Sequence, residues 1–393
     1  MTFGGPISEG PGVLMPHGIR KRGPGVLELK GPSTYLSHTE VTDGVLLLRH
    51  PDALATNKLM LSGIATSIGA VLGLGAGDFT RGIGENPGEF YSPTAGGPTG
   101  RIGWAAYGAD RRVNIYGDSR PLTINSGGFA PAMVLAFGGL DSDGTILFEN
   151  PLAMRSSTGG GANITFNVVK GIADVAVRLC APVSNGVTTG NFIKQLGGTL
   201  ELAAANTYTE PTQIYGGRLL VTGSTTAGST VSVGNAAAGA DNTGCALGGT
   251  GVIGGAITVH QGAALNLHPA AGALTATNSV TFNDNARIQI DVGPSGVNFL
   301  NFASTHSTAA SRTLRFNGTT HIDLNLLPGA PMGGTITLID WSAAANPVVT
   351  FFGGSFNKDD FVFTNPKFQG RAHVTDSKLV LAYSRPATLM FLR

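Results

Sequence analysis

Residues Lys21 to Leu47 read KRGPGVLELKGPSTYLSHTEVTDGVLL, and residues Lys194 to Leu220 read KQLGGTLELAAANTYTEPTQIYGGRLL. Laid on one another without a gap, eleven of the twenty-seven positions are identical. Lys21 falls on Lys194, Gly25 on Gly198, Leu27-Glu28-Leu29 on Leu200-Glu201-Leu202, Thr34-Tyr35 on Thr207-Tyr208 and Gly44 on Gly217. A recurring unit of this size cannot bury its apolar face alone and stacks on its neighbours. Alternating leucine and glutamate give each copy a strand with leucines on one side and the charge on the other. A polar Thr-Tyr link leads to a second strand through Val41 or Ile214, and a glycine corner at Gly44 or Gly217 leads to a third. Arg218 sets the phase of that third strand, with Leu219 and Val221 inward and Leu220 outward. By position Leu46 and Leu48 then point inward and Leu47 outward. Three short strands with glycine corners describe one coil of a solenoid or two hairpins of a sandwich; the coil is the expectation.

Composition agrees with a β chain rich in corners. Glycine supplies 59 of 393 residues and charged residues only 12%, about double and half of ordinary usage. Thr, Ser, Asn, Val and Ile recur in short runs, and few segments carry a helical period. A formal charge of +1 gives no electrostatic case for a nucleic-acid partner or an anionic membrane. The apolar stretch Leu59 to Gly77 is diluted by glycine, serine and threonine and lacks an aromatic belt, so it reads as buried coil rather than a membrane span. Cys180 and Cys245 have neither metal-site spacing nor a disulfide framework, and read as two buried thiols or a single bridge. No signal peptide is visible at Met1-Thr2-Phe3-Gly4-Gly5, so the chain either stays inside or is a mature part.

Taken in order, residues 1–20 form a Pro/Gly-rich arm with an apolar island at Val13-Leu14-Met15. Residues 21–300 form a β-solenoid with repeats at 21–48 and 194–221. Residues 301–393 form a C-terminal β region for capping or assembly, with alternating runs such as Ile288-Gln289-Ile290-Asp291-Val292 just before it and Ile322-Asp323-Leu324-Asn325-Leu326 inside it. Asn206-Thr207-Tyr208-Thr209, Gly216-Gly217-Arg218-Leu219 and the run LGGTGVIGGAITVHQGAALNL (247–267) resemble the bacterial autotransporter-associated β-strand repeat proteins. The first copy departs from that pattern with Ser33, Leu36 and Asp43. The resemblance covers most of 21–300 and implies a right-handed parallel β-solenoid passenger with a surface or extracellular role. It carries over no catalytic residue. The amphipathic ten-residue strands of an outer-membrane barrel are not found.

The search for chemistry finds turns. Asp141-Ser142-Asp143-Gly144 lacks the later ligands and distal glutamate of a calcium loop. Asn283-Asp284-Asn285 sits between strands as a turn, and Asp359-Asp360 beside Lys358 is a charged corner. The eight histidines are dispersed without metal-ligand spacing. No nucleophile elbow, phosphate loop or dinucleotide fingerprint occurs in a strand-to-helix context. Trp104 and Tyr107 have the surfaces to stack on a sugar ring, but a core role is expected.

The sequence therefore reads as an all-β, elongated, right-handed parallel β-solenoid with irregular Gly-rich corners. The expected function is that of a non-enzymatic, extracellular or cell-surface bacterial protein, structural or adhesive, assembling head to tail into filaments or a surface layer. No catalytic, cofactor or metal residue is expected. The expected partners are further copies of the chain and surface glycans. Assembly is expected to use the terminal islands Val13, Leu14, Met15 and Leu389, Met390, Phe391, Leu392, each adding a strand to an open solenoid end. The alternative is a carbohydrate-binding or carbohydrate-cleaving, spike-like β-helix, marked by a clustered acidic ladder on one outer face.

Overall fold

The computed structural model describes residues 1–8, 18–54, 57–63, 69–92, 100–126, 129, 134–154, 163–186, 190–237, 239–365 and 367–385. The assembly residues Val13, Leu14, Met15, Leu389, Met390, Phe391 and Leu392 lie outside them. Two compact units divide the chain, Met1–Glu210 and Pro211–Arg393.

Each unit is a parallel β-solenoid. In the first, Thr2–Phe3, Val26–Leu29, Gly44–Leu48, Ala70–Leu74, Arg101–Ala106, Val134–Phe137, Ile164–Val168 and Phe192–Gln195 follow one another in a single sheet. A second face runs Arg111–Val113, Ile146–Phe148, Val177–Leu179 and Thr199–Leu202, and a third runs Leu122–Thr123, Leu152–Met154 and Val183–Asn185. The earliest coils use a separate face, Ile19–Lys21, Thr39–Val41, Leu59–Leu61 and Phe90–Tyr91. In the second unit one face runs Thr212–Ile214, Val231–Val233, Ile257–Val259, Val280–Phe282, Thr313–Phe316 and Val348–Thr350. The face beside it runs Arg218–Val221, Ala246–Gly249, Ala264–Leu267, Ala286–Val292, Thr320–Leu326 and Phe361–Phe363. The remaining face ends differently. Gly333–Asp340 pairs parallel with Phe299–Phe302 but antiparallel with Lys378–Ser384, which pairs antiparallel with Gln369–Thr375. That hairpin occupies the edge on which a further parallel coil would otherwise add.

The repeat is not one coil. Val26 lies opposite Val45 and Leu29 opposite Leu48, so the first and third strands share a face one coil apart. Coil length is also uneven. Thr39 follows Ile19 by twenty residues, whereas Gly103 follows Val71 by thirty-two and Val362 follows His321 by forty-one. The ladder fixes only which residues stack, so corners lengthen without disturbing the register.

Inward side chains form the core. Ala286–Val292 alternates buried and half-buried residues along its whole length, as its sequence pattern predicts. Each fully buried Ile, Leu or Phe contributes about 1.5–3 kcal/mol. Like residues stack on like, with Phe282, Phe316 and Phe351 in parallel planes at 5.0 and 5.4 Å between centroids. Trp104 and Tyr107 are core residues, with Trp104 packed among Phe79, Phe90, Phe137 and Phe148. Leu47 and Leu220 were expected to face water, and both are buried. Leu47 joins Val45, Val71, Ala105, Tyr107 and Ala136 in a second apolar cluster. The turn after Phe137 closes over that cluster, since a Cβ on Gly139 would touch the Tyr107 hydroxyl and Val45. Cys245 is buried as expected, but Cys180 is an exposed thiol because the chain turns outward after Leu179.

Buried asparagines brace the corners. Asn150 accepts the Ile115 amide at 2.7 Å and donates to the Ile115 and Arg120 carbonyls at 3.0 Å each, so one side chain satisfies three backbone groups of the preceding coil. Asn298 likewise accepts the His268 amide and donates to the Gly249 carbonyl, each at 2.8 Å, and so satisfies two backbone groups of earlier coils. Replacing Asn150 by alanine orphans buried donors and acceptors and is expected to lower stability by about 2–4 kcal/mol in denaturant titrations.

His260 is held as a neutral ring. The Asn283 amide lies 3.1 Å from its Nδ1 and the Ser232 hydroxyl 2.9 Å from its Nε2, and burial keeps its pKa below the ordinary histidine value. Protonation therefore favours the unfolded chain: this contribution is intact above the unfolded pKa of about 6.5 and declines as pH falls below it. The thermal midpoint of His260→Gln is expected to depend less on pH between about 6.5 and 5 than that of the parent.

Candidate functional site

Two places gather polar side chains in a way that local chain geometry alone does not require. The first is the repeat itself. Lys21 is buried, and its ammonium donates to the carbonyls of Gly23 at 2.5 Å, Asp43 at 2.8 Å and Arg22 at 3.2 Å. Burial lowers its pKa, and the nearby Asp43 carboxylate partly offsets that. Lys194 is fully buried and donates to the carbonyls of Leu196 at 2.6 Å and Gln195 at 3.1 Å. In both copies the lysine clasps the turn that follows its own strand. The third residue of each copy takes a positive φ, 78° at Gly23 and 63° at Leu196. At Gly44, with φ 71°, a Cβ would come within 2.5 Å of the Gly23 and Gly25 carbonyls. Only glycine fits that corner, which is why Gly44 recurs as Gly217.

The rest of the repeat is structural in the same sense. Tyr35 is buried with its hydroxyl on Thr39, and Tyr208 is fully buried, stacked on Phe192 at 5.4 Å. Asn206 accepts the Val183 amide at 3.0 Å and donates to the Ala204 carbonyl at 2.9 Å. The glutamate that both copies share bonds an arginine on a neighbouring coil, Glu28 with Arg49 at 2.9 Å and Glu201 with Arg178 at 2.8 Å.

The second place is the outer side of one face of the second unit. Stacking aligns Arg287 with His321, Gln289 with Asp323 and Asp291 with Asn325. In the Arg287 column the two preceding coils present Ala264 and Ala246, and the coil before those presents Arg218. The step from small to long side chains opens a groove of about 320 Å³, floored by Gly244, Ala246, Gly262 and Ala264 and walled by Arg287, Gln289, Asp323 and Asn325. Both carboxylates are engaged at both oxygens. Asp323 accepts the Arg287 Nε at 2.6 Å and the Thr364 hydroxyl. Asp291 accepts the Asn325 amide at 3.0 Å and the Asn266 amide at 3.1 Å.

The other sequence candidates resolve as turns. Asp141 accepts the Tyr107 hydroxyl at 3.0 Å and Asp143 the Gly108 amide at 2.6 Å. Asp284 accepts the Thr319 amide at 2.8 Å, and Asn285 takes φ 59°. No group of three or more metal-ligating His, Cys, Asp or Glu side chains occurs among the described residues. Among those residues no helix is long and apolar enough to cross a membrane. The alternation ARIQIDV pointed to the outward residues of the groove wall. The small-residue floor carried no signal, because it arises only when two successive coils are aligned.

The model of the passenger-associated-transport-repeat family matches residues 19–48 and 192–221. Each match includes Ile19–Lys21 and Val26–Leu29, or their counterparts Phe192–Gln195 and Thr199–Leu202, with the clasping lysine in the first strand of each pair. The chain thus carries two repeats of the autotransporter-passenger type, as the motifs imply. No curated protein matches the chain in sequence.

The internal duplication supplies a test of the clasp. A non-glycine residue in the left-handed region costs about 1–2 kcal/mol, and Leu196 stands where the other copy has glycine. Leu196→Gly, after the entropy that glycine adds to the unfolded chain, is expected to raise stability by up to about 1 kcal/mol. Lys194→Met should lower it markedly. Both effects are read from denaturant midpoints.

Proposed function

We propose that this protein is a non-enzymatic, secreted or surface-displayed bacterial passenger whose solenoid is a structural or adhesive scaffold, assembling end to end with further copies. The two passenger-type repeats support the export and the location. The observation that carries the scaffold role is the use made of outward charges. Arg20 pairs with Glu40, Arg49 with Glu28, Arg112 with Glu149, Arg178 with Glu201, Arg287 with Asp323 and Lys378 with Asp340. Each pair ties one strand, or the residue just after it, to its neighbour in the ladder. Pairs of this kind, each with its arginine or lysine reaching water, contribute about 0–1 kcal/mol apiece, so as a set they brace the stack and leave few charges in convergent, catalytic arrangements.

End-to-end assembly is supported at the start of the first unit. Thr2–Phe3 pairs on one side with Glu28–Leu29, and no strand pairs with its other side among the described residues. Phe3 is 45% exposed there. A short edge of this kind accepts a strand from another copy. Negative-stain imaging and light scattering are expected to show end-joined rods for the full chain. Chains lacking residues 1–8 or 386–393 should be monomeric; rods of undiminished length in both truncations would remove the end-joining.

A further inference from the structure

We propose that the groove over Ala246 and Ala264 binds a neutral hexose unit of a glycan, with Arg287, Gln289 and Asn325 as its hydrogen-bonding wall. The inference rests on the adhesive reading only for where the glycan is met, and the site has its own argument. The groove, at about 320 Å³, falls within the size range of small-ligand sites. Its floor of Ala and Gly suits the C–H face of a sugar ring, and its wall supplies polar groups on one side.

What the wall leaves free decides the ligand. Arg287 is anchored through Nε to Asp323 at 2.6 Å, and its two terminal amino groups make no hydrogen bond among the described residues. Asn325 is anchored through its amide nitrogen to Asp291, which leaves its carbonyl oxygen open. The Gln289 amide, between them on the ladder, makes no hydrogen bond among the described residues and offers both a donor and an acceptor. The free set is thus a planar fork of donors, one mixed amide and one acceptor, with Asp323 on the wall itself holding Arg287 in place and Asp291 holding Asn325. Sugar hydroxyls, which donate and accept at once, match that mixture. Charge selects among saccharides. Arg218 and Arg287 stand against Asp291 and Asp323, with Asn266 bridging Arg218 at 3.4 Å to Asp291 at 3.1 Å. Their formal charges cancel, so the wall has no surplus to neutralise a uronate or sulfate. Asp291 and Asp323 each accept at both oxygens and so serve to anchor Asn325 and Arg287, and the role proposed for the groove is binding alone.

The test is native affinity electrophoresis of the full chain through gels carrying a neutral polysaccharide (a β-glucan, a galactomannan or a xyloglucan) or an acidic one (alginate or polygalacturonate). The neutral gels should retard the protein, and the acidic gels should not. Gln289→Ala, a change at a half-buried outward position that leaves the ladder intact, should weaken retardation by roughly fivefold or more, the loss of one neutral hydrogen bond. Ala264→Leu, which fills the floor, should abolish it. Circular dichroism of both variants should match the parent. Absence of retardation in every neutral gel, equal retardation of parent and variants, or retardation by acidic gels alone would each overturn the proposal. Rods seen in the same preparations would leave the scaffold reading intact, so the two fail separately.

Discussion

Parallel, in-register stacking makes each residue the neighbour of its counterpart one coil away, and the rest of this chain is shaped by that constraint. A strand in such a stack has its backbone satisfied on both edges, so its side chains need only match along the column. Columns of like residues follow: Phe282 over Phe316 over Phe351, and Phe166 over Phe192 at 4.5 Å. Aromatic rings at these separations add about 0.5–1.5 kcal/mol beyond their buried area.

The constraint also fixes where polar groups are buried. A coil has to turn at its corners, and a turn inside a stack leaves amides and carbonyls that neither water nor a ladder reaches. Asn150, Asn206 and Asn298 each meet that need with one amide that both accepts and donates. Lys21 and Lys194 meet it with an ammonium surrounded by carbonyls. A buried charge is costly unless hydrogen-bonded, which explains why the lysine is accompanied by the same turn in both copies.

How much was legible follows from the same physics. The repeat showed itself because clasp, corner and column each need one residue type: Lys21 and Lys194, Gly44 and Gly217, Tyr35 and Tyr208. Strand direction was legible wherever apolar and polar residues alternate, as in Ala286–Val292. Coil length was not, because the register ignores how many residues lie in a corner. The burial of Leu47 was hidden too, since the cluster that buries it draws on Val71, Ala105, Tyr107 and Ala136 from later coils. The groove was least legible of all. Its wall alternates visibly, but its floor is made of alanines and glycines that are unremarkable until the register sets them side by side.

That last point bears on how a parallel stack of this kind gains a groove on an outer face. Column matching governs inward positions strictly, whereas outward positions need only avoid unpaired charge. Once Asp323 holds Arg287 and Asp291 holds Asn325 and Asn266, the ladder is complete and its remaining hydrogen-bonding capacity faces water. A change from alanine to arginine between adjacent coils, Ala264 to Arg287, is enough to turn a flat face into a step. The step requires no new loop, helix or cofactor. It needs one column in which small residues are succeeded by long ones, which the inward packing of Leu265 on Ile288 permits without adjustment.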